Sequence, residues 1–301
     1  MITNTHKPIM VKEISSFLNK DKELSILDCT FGGGGHTISF LDLGHRVTAI
    51  DEDLNAQEIA KDIRKQFNKF NFFKMNFKDL EQIEEDYLKN KYDFILLDLG
   101  FSSNQLEDTQ IGISFKTDSR LNMSYLNSEF TAYDIVNNYS EEELSRVFAD
   151  YGEIKQSLKL AKFIVRTRQD KSINTNFDLI EVLRGSGVNF RSKKIHFATQ
   201  AFQALRIECN KELENLNIFL EKVYNYLNKD GILAIISFHS LEDRIVKNYF
   251  RSNSFKKDKF KNQSNWGFEI LTKRPITPNQ IEIKDNPRSR SSKLRVGRFV
   301  N

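Results

Sequence analysis

"LDCTFGGGGHT", residues 27–37, sets four consecutive glycines between an apolar run and a His-Thr pair. Glycine adopts backbone torsions that a Cβ forbids and lets another group come close to the main chain. The apolar "LSILDC" (24–29) reads as a short buried strand, and "HTISFLDLG" as a helix that stops at Gly44. A glycine turn between the carboxyl end of a strand and the start of a helix is where doubly wound sheets bind ligands.

The surrounding pattern supports such a sheet. "RVTAID" (46–51), "FNFFKMNF" (70–77) and "YDFILLDLG" (92–100) read as further strands. "NAQEIAKDIRKQF" and "LEQIEEDYLK" between them have helical character. Strand-helix alternation implies a parallel sheet covered by helices on both faces, an α/β fold. The rhythm breaks after Gly100. Residues 101–128 read as a loop, and 131–206 as a run of helices, with an N-cap signal such as Ser140 before Glu143. The alternation returns with the helix "LENLNIFLEKVYNYLN", a "KDG" turn and the buried strand "ILAIISFHS". The expected division is therefore an α/β domain from 1–128 and 207–301, interrupted by an all-helical domain at 129–206.

Composition sets the class. The chain has 301 residues, 39% apolar and 29% charged, an ordinary globular balance with room for one or two cores. The net charge of +4 says little about partners. The two cysteines, Cys29 and Cys209, have no disulfide or zinc spacing, so no metal site is expected. The N-terminal segment lacks a signal-peptide core, and no apolar run reaches the roughly 18 residues of a membrane span. The expected setting is the cytoplasm, away from membranes.

Other residues fall where a nucleoside ligand would need them. Asp51 ends the second strand, where a carboxylate can accept hydrogen bonds from both ribose hydroxyls. Phe77 ends the third strand and can lie against an adenine. Asp98 ends the fourth. NAD and S-adenosylmethionine share ribose and adenine, but a dinucleotide fingerprint ends on a third glycine, and Thr37 stands there. Asp28 would repel a pyrophosphate and attract an ammonium group. These features together favour S-adenosylmethionine.

"TFGGGGHT", "LLDLGFSSNQL", "FATQAFQALRIECNKEL", "ISFHSLEDRIVK" and "NPRSRSSKLR" follow in this order. Together with the opening "HKPIMVKE" they closely resemble the bacterial MraW family, over nearly the whole chain. The resemblance implies a class I S-adenosylmethionine-dependent methyltransferase, Rossmann-like, with a helical insertion serving substrate recognition. It implies cofactor contacts at Gly34, Gly35, His36, Asp51, Phe77, Asp98 and Gln105, with S-adenosylhomocysteine as product. It implies methylation of the exocyclic amino group of a cytosine in 16S ribosomal RNA, free or in the small ribosomal subunit, and leaves homodimerisation open. The chain departs from the family at Asn122 and Ser124, where an acid and a base are usual, and at Gln200, which replaces an arginine.

A cytosine amino group is a weak nucleophile, so an acceptor for its hydrogens and in-line alignment would both help. Candidate acceptors after the fourth strand are Asp98 and the hydroxyls of Ser102 and Ser103. His239, at the end of a buried strand, could take a proton or could cap the helix that follows. Two basic segments are candidates for RNA phosphates. "RGSGVNFRSKK" (184–194) holds Arg184, Arg191, Lys193 and Lys194, and the tail segment 284–298 holds Arg288, Arg290, Lys293 and Arg295. Three rivals remain at this point. One is a DNA amino-methyltransferase, whose usual Pro-Pro-aromatic motif is missing from "DLGFSS". Another is a non-catalytic RNA-binding or ribosome-assembly protein. The third is an NAD-dependent oxidoreductase.

Overall fold

The computed structural model describes residues 8–19, 21–83, 91–100, 111–114, 116–125, 129–190, 196–255 and 266–301. They form two compact units, one from the chain up to Gly100 and from Asn215 onward, the other from 101–214.

The first unit is built on seven strands: β1 (Ser25–Asp28), β2 (Arg46–Asp51), β3 (Phe70–Lys74), β4 (Tyr92–Asp98), β5 (Leu227–Ser237), β6 (Gly267–Ile270) and β7 (Lys293–Val300). Their order across the sheet is β3-β2-β1-β4-β5-β7-β6. The pairings from β3 to β5 are parallel, and β7 runs antiparallel between β5 and β6. This is a doubly wound, Rossmann-like sheet.

Side-chain alternation shows why β4 and β5 read as continuous apolar runs. Phe94, Leu96, Ile232, Ala234 and Ile236 face one core, with Ile14, Phe40, Ala60 and Ile63 from α1 (Val11–Ser15), α2 (Gly35–Asp42) and α3 (Leu54–Gln66). Ile95, Leu97, Leu233 and Ile235 face the other core, where Leu216, Phe219, Val246 and Phe250 also pack. Both faces are covered, so neither side of these strands can be polar. The strand order reverses at β1 and β4, and their carboxyl ends carry Asp28 and Asp98.

The second unit holds the expected helices: α4 (Ala132–Asn138), α5 (Glu141–Asp150), α6 (Ser157–Asp170), α7 (Asn176–Gly185) and α8 (Thr199–Asn210), with α9 (Glu212–Lys222) starting at its boundary. Capping boxes start three of them, at Thr131, Ser140 and Thr175. The unit is wider than the span 129–206 read from the sequence. Leu121 and Met123 belong to its core, and Asn176 Nδ2 donates to the carbonyls of Gly112 and Ser114 at 3.0 and 2.8 Å. At its other end Arg206 grips Glu212 through two bonds of 2.8 and 2.9 Å.

Two local readings differ from the structure, and most of a third lies outside the described residues. β3 stops at Lys74, and a 3₁₀ segment, Phe77–Gln82, follows it. Residues 84–90 of the expected helix lie outside the described residues. "KDG" is not a turn before a strand but part of β5, with Asp230 in the left-handed region at φ 62°. A register shift against β4 between Tyr92 and Phe94 absorbs it.

The basic tail corrects a fourth expectation. Lys293 and Arg295 were candidates for RNA phosphates, but both lie in β7, well inside the sheet. Arg295 is 8% exposed and donates to Asp243 Oδ1 at 2.7 Å and Oδ2 at 3.3 Å, and Lys293 reaches the same carboxylate at 3.2 Å. Asp243 sits on α10 (Ser240–Ser252). Burial raises its carboxyl pKa, but the bonds from Arg295 and Lys293 more than offset this and hold it below the usual range. A depressed carboxyl contributes stability above its unfolded pKa and loses it as pH falls through the folded value. Arg295→Gln is therefore expected to lower the unfolding free energy by about 1–3 kcal/mol at pH 7, and by less as the pH falls into the range where Asp243 protonates. Denaturant titrations at two pH values check this. An unchanged stability together with weaker RNA binding would return Arg295 to the surface.

Candidate active site

The turn after β1 is held by short bonds to its neighbours. Phe31 N–H donates to Ile50 O on β2, and Cys29 N–H donates to Leu96 O on β4. Thr30 Oγ1 accepts the Asp98 N–H at 2.7 Å. Asp28 has no exposed surface; its Oδ2 accepts the Thr37 hydroxyl at 2.7 Å and its Oδ1 the Thr30 N–H at 3.2 Å. Burial pushes its carboxyl up, against the pull of His36, Thr37 and Thr30. This corrects the reading of Asp28 as a contact for a ligand's ammonium. Thr37, in the first turn of α2, closes over the carboxylate and makes it an anchor of the turn. The residue that breaks the dinucleotide fingerprint thus serves this anchor.

Two of the glycines are packed against other parts of the protein. Gly32 and Gly34 lie in the left-handed region, at φ 51° and 77°. A Cβ on Gly34 would stand 2.7 Å from Ile63 and 2.9 Å from Phe31, and one on Gly35 2.8 Å from Pro8. Gly34 caps α2 without any side-chain bond to its first amides. The start of α2 can therefore bind an anion, such as an amino acid carboxylate, through main-chain N–H groups.

Asp51 ends β2 beside this turn. Its Oδ2 accepts the Gly32 N–H at 2.7 Å and its Oδ1 the Asp53 N–H at 2.9 Å. Each oxygen keeps a second lone pair for a hydroxyl donor. Burial pushes the carboxyl up to about 6, against the pull of the Asp53 and Gly32 amides. Next to it Glu52 accepts from Asn76 Nδ2 at 2.6 Å, and the Met75 N–H donates to Asp51 O. Phe77 follows, partly buried, with its ring edge-on to Phe219 at 5.7 Å.

Asp98 ends β4. Its Oδ2 lies 3.5 Å from His36 Nε2, and the two side chains are 18% and 7% exposed. Asp98 Oδ1 and both His36 nitrogens are buried and have no hydrogen-bond partner among the described residues. Buried polar atoms without partners are uncommon and mark places where a ligand or water completes the bonding. Gly34, Gly35, His36, Asp51, Phe77 and Asp98 thus all belong to the carboxyl-end turns of this unit.

His239 follows β5 and is the N-cap of α10. Its Nδ1 accepts the Glu242 N–H at 3.4 Å, and Glu242 accepts the Phe238 and His239 N–H groups at 2.8 and 3.2 Å, a complete capping box. The expectation that His239 takes a proton is at odds with this arrangement, since the Nδ1 lone pair is spent on the helix.

Ser102, Ser103, Gln105, Arg191, Lys193 and Lys194 lie outside the described residues. Arg184 is exposed at the end of α7, pairs with Glu181 and lies 5.8 Å over the Phe197 ring. Arg288 and Arg290 are exposed on the 3₁₀ turn Pro287–Ser291. Gln200, in place of the family's arginine, donates to Gly152 O at 2.9 Å inside the helical unit. Sequence reasoning missed Thr30, Glu52 and Asn76 as residues that shape the site. Thr30 meets the Asp98 N–H from 68 positions away, and no local pattern marks such a bond.

A sequence model of the MraW methylase family matches residues 3–300. The chain is 39% identical to ribosomal RNA small subunit methyltransferase H of Brachyspira hyodysenteriae, over 98% of this chain and 97% of that protein. It is 42% identical to the protein of the same name from Sulfurihydrogenibium sp., over 98% and 99%, and 41% identical to that of Rickettsia prowazekii, over 98% of each. With likeness from end to end and a methyltransferase sheet whose carboxyl-end turns gather the residues above, the chain is a methyltransferase and belongs to the MraW methylase family.

Proposed function

We propose that this protein transfers a methyl group from S-adenosylmethionine to the N4 amino group of a cytosine in 16S ribosomal RNA, as free RNA or in the small subunit. The observation that carries the reading is the pair of carboxylates at the carboxyl ends of β2 and β4, on either side of β1: Asp51 with lone pairs left for a ribose, and Asp98 with a buried Oδ1 that has no hydrogen-bond partner among the described residues. The names of the relatives and the family's reach across the chain support the RNA substrate.

When bound, S-adenosylmethionine supplies the electrophilic methyl group. The protein's part is to bind and align. Asp51 accepts the ribose hydroxyls, Phe77 lies against the adenine, and the amides at the start of α2 hold the carboxylate. Gln105 is the further cofactor contact that the family pattern assigns. Asp98 Oδ1 accepts either the cofactor's ammonium or one hydrogen of the target amino group, and Ser102, four positions on in the sequence, is a further candidate acceptor. Methyl transfer to N4 would release the cofactor as the neutral thioether, and N4 would give up one proton, with Asp98 Oδ1 as the acceptor that would pass it to water. A nitrogen that becomes acidic as the bond forms needs an acceptor and alignment more than a strong base. The target base must leave its stack to reach Asp98. The helical unit, with Arg184, Arg191, Lys193 and Lys194, and the exposed Arg288 and Arg290 would neutralise backbone phosphates.

The experiment is transfer of labelled methyl to small ribosomal subunits, naked 16S RNA and DNA, followed by nucleoside analysis. The expected product is N4-methylcytidine from RNA alone. Label on DNA, or none on any acceptor with cofactor bound, contradicts the reading.

Two variants test the carboxylates. Ionised Asp51 is the form that accepts both hydroxyls, and its pKa near 6 makes cofactor affinity fall as pH drops through that value. If only the ionised form binds, affinity at pH 5 is about tenfold weaker than at pH 7. Asp51→Asn should bind more weakly at pH 7 and lose this dependence, as calorimetry with S-adenosylhomocysteine can show. A wild-type affinity that is flat from pH 5 to 7 removes Asp51 from the ribose. For Asp98→Asn, a single-turnover rate lowered roughly 10²–10⁴-fold at saturating cofactor identifies an acceptor for the amino group. A loss confined to cofactor affinity assigns it to the ammonium instead.

A further inference from the structure

His239 stands three residues beyond Ile236, the residue paired with Asp98 across the sheet. The Phe238 ring closes on the turn after β4, where a Cβ on Gly100 would be 3.1 Å from it. The imidazole therefore sits at the carboxyl end of β5, beside the turn that carries Asp98, and its side chain is 10% exposed.

The capping box fixes how this ring can be used. Nδ1 accepts the Glu242 N–H, so in the neutral imidazole the proton is on Nε2. Glu242 Oε1, 3.2 Å from Nε2, favours the same tautomer. Yet Nε2 is buried and has no properly aligned hydrogen-bond partner among the described residues. Native structures rarely leave such a donor unused. A ring held this way offers an N–H. It has no bare nitrogen with which to take a proton from an amino group.

Cytosine next to its N4 amino group presents the ring nitrogen N3, an acceptor, whereas uracil presents an N–H there. We infer that His239 is a specificity-determining residue whose Nε2–H is donated to N3 of the target cytosine. This rests on the reading of the substrate as a cytosine amino group. The same N–H faces the N3–H of uracil donor to donor, which rejects that base by leaving both groups unpaired. Glu242 acts through His239: it completes the cap and holds the tautomer.

The test keeps the cap and draws the donor back, since asparagine also carries an N–H but its Nδ2 ends one bond short of the imidazole Nε2. In His239→Asn the side-chain oxygen still caps α10, since asparagine is among the best N-cap residues. Melting temperature and S-adenosylhomocysteine affinity should match the wild type. The single-turnover rate on RNA should fall roughly 10- to 100-fold, the factor for losing one hydrogen bond to a buried donor. A second substrate carries 3-deazacytidine, which lacks the N3 acceptor, at the position the wild type methylates. This substitution should penalise the wild type at least tenfold more than His239→Asn. Equal penalties in the two proteins, or a variant that loses cofactor affinity with its rate intact, overturn the role of His239. A wild type that methylates no cytosine in RNA overturns the substrate reading itself.

Discussion

The active edge of this protein depends on one buried carboxylate. Asp28 has lost all contact with water, and that desolvation is costly unless the oxygens find donors. The Thr37 hydroxyl and the Thr30 amide supply them. These two bonds clamp both ends of the glycine turn, one at its first residues and one within α2. Thr30 is then in place to receive the Asp98 N–H, and the Gly32 N–H is in place to meet Asp51. The ends of β1, β2 and β4 are thus tied into one frame by side chains that accept main-chain hydrogens. So tied, the turn presents the amides of α2 without a side-chain cap and an Asp98 Oδ1 with no hydrogen-bond partner among the described residues.

The same logic separates charges that hold the fold from charges that face outward. Arg295 and Lys293 belong to a basic stretch, but the antiparallel β7 carries them onto Asp243. Arg288 and Arg290, a few residues earlier, stay exposed. At His239 a residue that reads as a base is turned by its own cap into a donor. For Arg295, Lys293 and His239 the partner lies on α10, and it decides the role.

The sheet and the helical run were legible because periodicity and burial are local properties. Strands covered on both faces must be apolar throughout, as β4 and β5 are, and capping signals such as Ser140 with Glu143 mark helix starts. Asp51 and Asp98 read as strand ends because each closes an apolar run, and they do end β2 and β4, whereas Phe77 lies three residues beyond the end of β3. What could not be read depends on contacts distant in sequence. Nothing near Asp28 reveals that Thr37 will cover it, and nothing in "KDG" shows that a register shift draws it into β5. The glycines were read as room for a visitor, but Phe31, Ile63 and Pro8 already occupy the space where Gly34 and Gly35 would carry a Cβ.

The unit also contains a cavity of about 480 Å³ lined by Tyr224, Tyr249 and Trp266 among others. Tyr224 lies three residues before β5 and Trp266 directly before β6, so this cavity lies at the opposite edge of the sheet from Asp51 and Asp98. Amide hydrogen exchange with and without S-adenosylhomocysteine tests most directly that the cofactor belongs to the carboxyl edge. The account predicts slowed exchange across residues 30–37 and 51–53, with none around Tyr224, Tyr249 and Trp266. Protection confined to the aromatic cavity, with the glycine turn unchanged, would contradict it.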